Sequence, residues 1–272
     1  MLSQSLRTSL LFILASTVIS SIAWAQAQPQ AQGTDQGNEF HWKGKLPAEN
    51  VIEIKDINGH IEAEAASGDE IEVTAEKSGP RADEVKIGMV QHSDGITFCV
   101  VLPGMDEHGR CDQNDHGHLW SRDGDKVKVN FHVRVPENIR FSGENVNGDV
   151  RAEGMGRFVR ATSVNGSVRV STKSWAELSS VNGSVEGRMG SANWTGTLKI
   201  ETVNGSIRLE LPGDLSADVS FRSVNGKLES DFPLTIQGSF GGHSLHGRVG
   251  SGGRDLKLET VNGSAELKRS SI

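Results

Sequence analysis

The chain has 272 residues, of which 35% are hydrophobic and 23% charged, a composition that excludes disorder along its whole length. Acidic residues outnumber Lys and Arg by 35 to 28, which argues against a nucleic-acid partner because phosphate binding needs clustered positive charge. The 32 Gly residues, the 5% aromatic content and the lack of Tyr suit thin stacked β layers better than a thick mixed core.

Residues 1–25 have the pattern of a secretory signal peptide. Arg7 supplies positive charge, residues 10–19 form an apolar segment too short to span a bilayer, and Ala23-Trp24-Ala25 is a small-residue cleavage site. The pattern predicts export to the periplasm, the cell surface or the medium; the alternative is an N-terminal membrane anchor. Residues 26–39 are polar and rich in Gln, Ala and Gly, which predicts a flexible leader outside the fold.

Residues 40–135 form a predicted N-terminal β region. Apolar and polar residues alternate over 71–75, 85–90, 96–102 and 127–135, as they do in half-buried strands. Such a region suits a β cap that covers the first coil of a repeat protein.

Two cysteines bracket a polar segment within this region. Cys99 and Cys111 are 12 residues apart, and in an exported protein they predict a disulfide, with two unpaired thiols as the alternative. The predicted loop 104–125 carries several carboxylates and imidazoles. We interpret it as a solvated surface loop. The alternative is a Zn, Cu or Ni site, because His116 and His118 offer two imidazoles from one short segment. The further candidates in the loop are Asp106, Glu107, His108, Asp112, Asp115, Asp123 and Asp125.

A Val-Asn-Gly tripeptide repeats through residues 136–270. The six copies are Val146-Asn147-Gly148, Val164-Asn165-Gly166, Val181-Asn182-Gly183, Val203-Asn204-Gly205, Val224-Asn225-Gly226 and Val261-Asn262-Gly263, with a relative at Ile57-Asn58-Gly59. The period of about 20 residues is typical of a solenoid or a regular β array. Leu245-His246-Gly247 falls 21 residues after Asn225 and is interpreted as a degenerate copy.

Apolar and polar residues alternate on both sides of each copy, so each repeat is predicted to be strand, tight corner, strand. One arrangement is a hairpin meander with a two-residue Asn-Gly turn. The favoured one is a β-solenoid, in which the tripeptide is a corner between two facing sheets and the Val, Asn and Gly of successive coils form ladders down one edge. Asn and Gly suit the corner because both tolerate positive φ. The predicted fold is all-β and nearly free of helix.

The segment 52–61, with its Ile57-Asn58-Gly59, and the recurring T/S-V-N-G-S-V/I pattern resemble a bacterial family of putative adhesins, domains of unknown function with β-strand repeats (DUF4097-like). The resemblance covers about residues 40 to 270. It implies a β-solenoid in the periplasm or at the cell surface. It transfers no functional residues, because the family motif is the structural corner itself.

No motif for nucleophilic catalysis or for phosphate binding is visible, and the Gly-rich stretch 238–253 has no G-K-[S/T]. The outward charges Arg169, Arg208, Glu201, Glu210 and Glu229 are interpreted as a solvated face. We therefore expect a non-enzymatic envelope protein, without a cofactor, that binds an envelope protein, a surface polymer or a copy of itself. The alternatives are a polysaccharide-acting enzyme on the same scaffold and a periplasmic metal-binding or stress-sensing module that uses the loop.

Overall fold

The structure is a computed structural model, and it describes residues 33–102, 111, 127–236 and 244–270. The alternation of apolar and polar residues produces strands along most of this length. The strands are β1 (Thr34–Gln36), β2 (Glu39–Gly44), β3 (Val51–Lys55), β4 (Ile61–Ala65), β5 (Ile71–Ser78), β6 (Lys86–His92), β7 (Gly95–Val101), β8 (Lys128–Val135), β9 (Arg140–Asn147), β10 (Val150–Met155), β11 (Val159–Asn165), β12 (Val168–Thr172), β13 (Ala176–Asn182), β14 (Val185–Met189), β15 (Thr197–Asn204), β16 (Ile207–Leu211), β17 (Ala217–Arg222), β18 (Leu228–Ser230), β19 (Thr235–Ile236), β20 (Ser244–Val249), β21 (Asp255–Glu259) and β22 (Ala265–Arg269). A 3-10 helix spans Ala82–Glu84.

The strands form two sheets of eleven strands each. The first sheet has the order β1-β2-β5-β8-β4-β10-β12-β14-β16-β22-β18, and the second has the order β19-β20-β17-β21-β15-β13-β11-β9-β3-β7-β6. Each Val-Asn-Gly corner leads from a strand of the second sheet to a strand of the first, and the repeat strands pair in parallel with those of neighbouring coils. A hairpin would instead pair the two strands that flank one corner. The solenoid is therefore confirmed and the meander is excluded.

The coils are not stacked in chain order. The last coil, β21 and β22, lies between the coil of β15 and β16 and the coil of β17 and β18. The chain reaches this place through β20, which runs antiparallel to β17. The interpretation of Leu245-His246-Gly247 as a corner is wrong, because His246 and Gly247 pair with Ser220 and Val219 inside β20. An antiparallel strand has the same two-residue alternation as a coil strand, so the pattern could not separate them.

The N-terminal β region continues both sheets beyond the coil of β3 and β4. Strands β2, β5 and β8 pair antiparallel in the first sheet, and β6 pairs antiparallel with β7 in the second. The role of this region as a cap stays a prediction. One boundary needs correction, since β1 lies in the predicted flexible leader but pairs with β2, and Asp35 forms an ion pair of 2.5 Å with the buried amine of Lys77.

The core lies between the two sheets. One continuous cluster of buried apolar side chains runs from Phe40 to Leu267 and so crosses from the N-terminal region into the repeats. Among the side chains that the structure describes, Trp194 is the largest that is fully buried, and its indole N–H donates to the carbonyl of Asp255 at 3.1 Å. Among the described residues, no helix has the length and apolar character needed to cross a membrane.

A candidate contact edge formed by the stacked corners

The seven corners stack into one continuous edge, which we call the corner edge. It consists of the three-residue corners centred on Asn58, Asn147, Asn165, Asn182, Asn204, Asn262 and Asn225, in that spatial order. Each Asn side-chain amide donates to the side-chain carbonyl of the preceding Asn, at 2.7–2.9 Å. The result is a polar ladder of six hydrogen bonds along the stack, in which every interior Asn both donates and accepts.

Glycine follows each Asn because the corners approach one another closely. A Cβ on Gly166, Gly183 or Gly205 would lie far inside 3.0 Å of the carbonyl oxygen of the preceding Gly. Positive φ, the reason expected from the sequence, applies only to Gly59 and Gly148 among the seven corner glycines, with φ of 139° and 149°. None of the corner Asn residues has positive φ. Close stacking, rather than a left-handed backbone, therefore explains most of the Asn-Gly pairs.

A second polar row lies inside the stack, two residues before each corner Asn. We call it the inner row; it contains Asp56, Asn145, Ser163, Ser180, Thr202, Thr260 and Ser223, all buried. The last six each donate a hydrogen bond to the glycine carbonyl of the preceding corner, at 2.8–3.1 Å. These bonds satisfy carbonyl groups that the corner would otherwise bury without a partner.

The outward residue of the corner edge is apolar. The valines at 146, 164, 181, 203, 261 and 224 are between 38% and 53% exposed. Of the eight large hydrophobic side chains that are exposed among the described residues, six belong to this one column. Scattered exposed hydrophobics are ordinary, but a contiguous apolar strip beside a polar ladder is typical of a contact surface.

The outer face of the first sheet carries the charged residues that the sequence placed outward. Arg169 pairs with Glu186 at 2.9 Å, and Arg208 pairs with Glu266 at 2.7 Å, each across neighbouring strands. A shallow pocket of about 380 Å³ lies over this face, lined by Glu153, Arg169, Ser171, Glu186, Arg188, Arg208, Glu210 and Lys268. The neighbouring Glu186 raises the pKa of Arg169, and Glu266 raises the pKa of Lys268, so each of these two basic groups is favoured in its charged form. Glu201 lies on the second sheet instead, 2.5 Å from Lys199.

The Toastrack DUF4097 family matches residues 119–268. The chain belongs to this family. The match includes six of the seven corners and leaves out the corner at Asn58 and the two cysteines. No curated protein matches the sequence.

Three solved structures resemble this Toastrack chain. A "putative cell adhesion protein" from Clostridium sporogenes is 11% identical, covers 85% of this chain and 99% of its own, and has a TM-score of 0.46. A "putative adhesin" from Bacteroides fragilis is 12% identical over 86% of this chain and 98% of its own, with a TM-score of 0.30. Another "putative adhesin", from Parabacteroides merdae, is 10% identical over 85% of this chain and 96% of its own, with a TM-score of 0.25.

The disulfide of this Toastrack chain is confirmed. Cys99 on β7 and Cys111 are bonded, with a Cα–Cα distance of 5.5 Å, and both are buried beside Val101. Gly88 on β6 makes room for them, because a Cβ there would lie 2.9 Å from the sulfur of Cys111. Strand β7 belongs to the second sheet and β8 to the first.

Most of the predicted loop 104–125 lies outside the described residues, and this includes His116 and His118. The metal hypothesis for that loop therefore stays a prediction. Elsewhere, in the described part of the chain, no group of three or more His, Cys, Asp or Glu residues is arranged to hold a metal ion. The Gly-rich stretch is described from 244 onward, where it forms β20 and the turn that precedes β21.

Sequence reasoning missed the importance of Asp56. This side chain is only 5% exposed, and burial raises its pKa to about 7, against the opposing effect of the backbone N–H groups of Ile57 and Asn58. The signal was present in the sequence. At the position two before each corner Asn, six copies have an uncharged Asn, Ser or Thr, and only the first has an acid.

Proposed function

We propose that this protein is an exported, non-enzymatic envelope protein that binds its partner through the corner edge. The observation that carries this proposal is the column of exposed valines. The stack uses the Asn and the Gly of each corner for hydrogen bonds and close approach, whereas each valine still leaves 38–53% of its surface exposed to water. The partner is an envelope protein, a surface polymer or another copy of the chain.

The charged faces fit a supporting role. The arginines of the first sheet are already paired with glutamates, so a ligand would have to break those ion pairs before it could use them. Exposed ion pairs of this kind contribute little to stability, about 0–1 kcal/mol each. The ion pairs keep the face soluble, whereas burial of the valine column against a partner would lower the free energy of the complex.

A polysaccharide-acting enzyme is the weaker proposal. Glycoside hydrolysis needs a carboxyl group that stays protonated near neutral pH and that contacts the substrate. On the first sheet, Lys227 lowers the pKa of Glu229, the opposite of that requirement. The described acidic side chain with a clearly raised pKa is Asp56, which is buried and so inaccessible to a polymer.

Export is supported by two features of different kinds. The pattern of residues 1–25 is that of a signal peptide, although those residues lie outside the described ones. The disulfide between Cys99 and Cys111 is of a type that persists in oxidising compartments.

The test compares the corner edge with the charged face in binding to the immobilised envelope fraction of the producing bacterium. The edge variant is Val164→Lys with Val203→Lys, and its isosteric counterpart is Val164→Thr with Val203→Thr. The face variant is Arg169→Glu with Arg208→Glu. All four positions are exposed, so the lysine and threonine variants should melt near the wild-type temperature. The face variant places acidic side chains opposite Glu186 and Glu266 and should melt somewhat lower but still cooperatively.

We expect the lysine variant to bind at least about tenfold more weakly, because two charges would have to be desolvated against an apolar contact. The threonine variant should fall between it and the wild type, and the face variant should bind normally. If the face variant alone loses binding, the contact surface is the first sheet and the edge assignment is wrong. If all variants bind like the wild type, neither surface mediates contact.

A further inference from the structure

Asp56 is the first member of the inner row, so among the described residues no preceding corner offers it a glycine carbonyl. The other six members donate to a neighbouring corner, whereas an ionised carboxylate can only accept. One oxygen of Asp56, Oδ1, accepts from the backbone N–H of Ile57 at 2.7 Å. The other, Oδ2, is fully buried, and no described group donates to it.

A second buried oxygen without a donor lies on the next strand. Asn145 uses its amide to donate to the carbonyl of Gly59 at 2.9 Å, which leaves its own Oδ1 buried and without a protein donor. Asp56 and Asn145 are neighbours in register, because Lys55 pairs with Glu144 and the Asp56 N–H donates to the Glu144 carbonyl at 2.8 Å. Adjacent strands are about 4.8 Å apart, so the two inward side chains lie side by side.

Two adjacent buried acceptors need one hydrogen between them. An unmet buried acceptor destabilises the fold, and a buried charge without a partner destabilises it more. We propose that Asp56 is protonated in the folded protein, that its carboxyl hydrogen is donated to the side-chain carbonyl of Asn145, and that loss of this proton loosens the corner at Asn58.

The charged side chains near Asp56 lie on other faces, so a proton on Asp56 itself is the simplest donor for the two buried oxygens. On β3, Glu53 and Lys55 pair with each other at 3.8 Å on the outer face of the second sheet. Glu144 on β9 alternates to the same outer face, and β7 presents the disulfide-bonded Cys99 and the buried Val100. His60 is exposed beyond the corner. Burial is the main reason why the pKa of Asp56 is raised, and no charged neighbour contributes to the shift.

The corner at Asn58 holds the strand that follows the disulfide-bracketed segment. The N–H of Val129 donates to the carbonyl of Asn58 at 2.8 Å, and the N–H of Phe131 donates to the carbonyl of His60 at 2.8 Å. On its other side, the N–H of Gly59 donates to the carbonyl of Asn147 at 3.1 Å. Ionising Asp56 would therefore weaken the attachment of β8 at the N-terminal end of the stack, so that this end responds to external pH.

The test is amide hydrogen exchange at Gly59 and Val129 between pH 5 and pH 8, in the full chain with its disulfide intact. After correction for intrinsic exchange rates, the opening equilibrium in the wild type should grow by up to about tenfold for each pH unit until it levels off near pH 7. Asp56→Asn, which carries a permanent donor at this position, should remove that dependence. Glu62→Gln, an exposed acid in the same coil, is the matched control and should leave it intact.

A second measurement keeps the proposal falsifiable if Asp56→Asn does not fold. The carboxyl carbon of Asp56 in the wild type should titrate near pH 7 by NMR, and the titration should not move when chelator is added. Titration near the ordinary value of 3.8 would overturn the proposal, because a water molecule would then serve the two oxygens. A midpoint that shifts with chelator would overturn it in favour of a bound cation.

Discussion

Replacing Gly183 with alanine tests whether close stacking of the corners holds the solenoid together. A Cβ on Gly183 would lie far inside 3.0 Å of the Gly166 carbonyl oxygen and 2.8 Å from the backbone nitrogen of Ser167. Both atoms belong to the backbone of the neighbouring coil, so no side-chain rotation can relieve the clash. The two coils must move apart at this corner.

The cost follows from what the separation breaks. Overpacking a close contact costs about 1–3 kcal/mol. Moving the coils apart also lengthens two hydrogen bonds, from the Ser180 hydroxyl to the Gly166 carbonyl at 2.8 Å and from the Asn182 amide to Asn165 at 2.9 Å. Each of these is worth about 1 kcal/mol net. We expect Gly183→Ala to lower the free energy of unfolding by about 3–5 kcal/mol.

The assay is urea denaturation, and the chain supplies its own control in Gly68. No heavy atom lies within 4 Å of a Cβ built there, and the backbone does not have positive φ. Gly68→Ala should therefore leave stability unchanged or raise it by up to about 1 kcal/mol through the unfolded state. Equal midpoints for the two variants would refute the argument that close approach selects glycine at the corners.

Five other perturbations have expected outcomes. Asn182→Ala removes two hydrogen bonds of the ladder and should cost about 1–2 kcal/mol in urea titrations, whereas Asn225→Ala, at the end, removes one and should cost about half as much. Cys99→Ala should cost about 3 kcal/mol and make the melting temperature insensitive to reductant. Deleting residues 254–272 removes the coil inside the stack, so cooperative melting by circular dichroism should be lost. Because the pKa of Asp56 is raised in the folded protein, its contribution to stability is complete below about pH 4 and should decline as pH rises to about 7. The pKa changes from 3.8 to about 7, and each pH unit corresponds to about 1.36 kcal/mol. The free energy of unfolding should therefore fall by at most about 4 kcal/mol over this range.

The repeat and the alternation were enough to predict the coils. Alternation places one face of each strand inside, and an identical corner in every copy is explained by stacking but not by separate hairpins. The same reasoning places the valines of the corner edge outside the core. The charge pairs between neighbouring strands could not be assigned, because pairing depends on which coils are adjacent.

The order of the coils could not be predicted, for a physical reason. Each corner presents nearly the same surface to the coil above it and to the coil below it. The sequence near Asn262 therefore fits two positions equally well: the end of the stack beyond Asn225, or the place between Asn204 and Asn225. The antiparallel strand β20 brings the chain back so that the last coil lies between the two others. Its residues alternate in the same way as those of a coil strand, so the sequence does not reveal this reversal. Alternation through Ile52 and Ile54 places Asp56 on the inward face, but whether its carboxyl meets a donor there depends on the neighbouring coil, which the local pattern does not describe.

Disulfide trapping along the ladder tests the order in which the coils stack, which decides which corners meet along the corner edge. Cysteines at adjacent corners are about 5 Å apart, within bonding range, while those two corners apart are about 10 Å apart and outside it. The structure predicts that Asn204→Cys joins Asn262→Cys, that Asn262→Cys joins Asn225→Cys, and that Asn204→Cys does not join Asn225→Cys when the folded protein is oxidised. Efficient bonding between positions 204 and 225 would show that the coils stack in chain order, and the order of corners given for the corner edge would then be wrong.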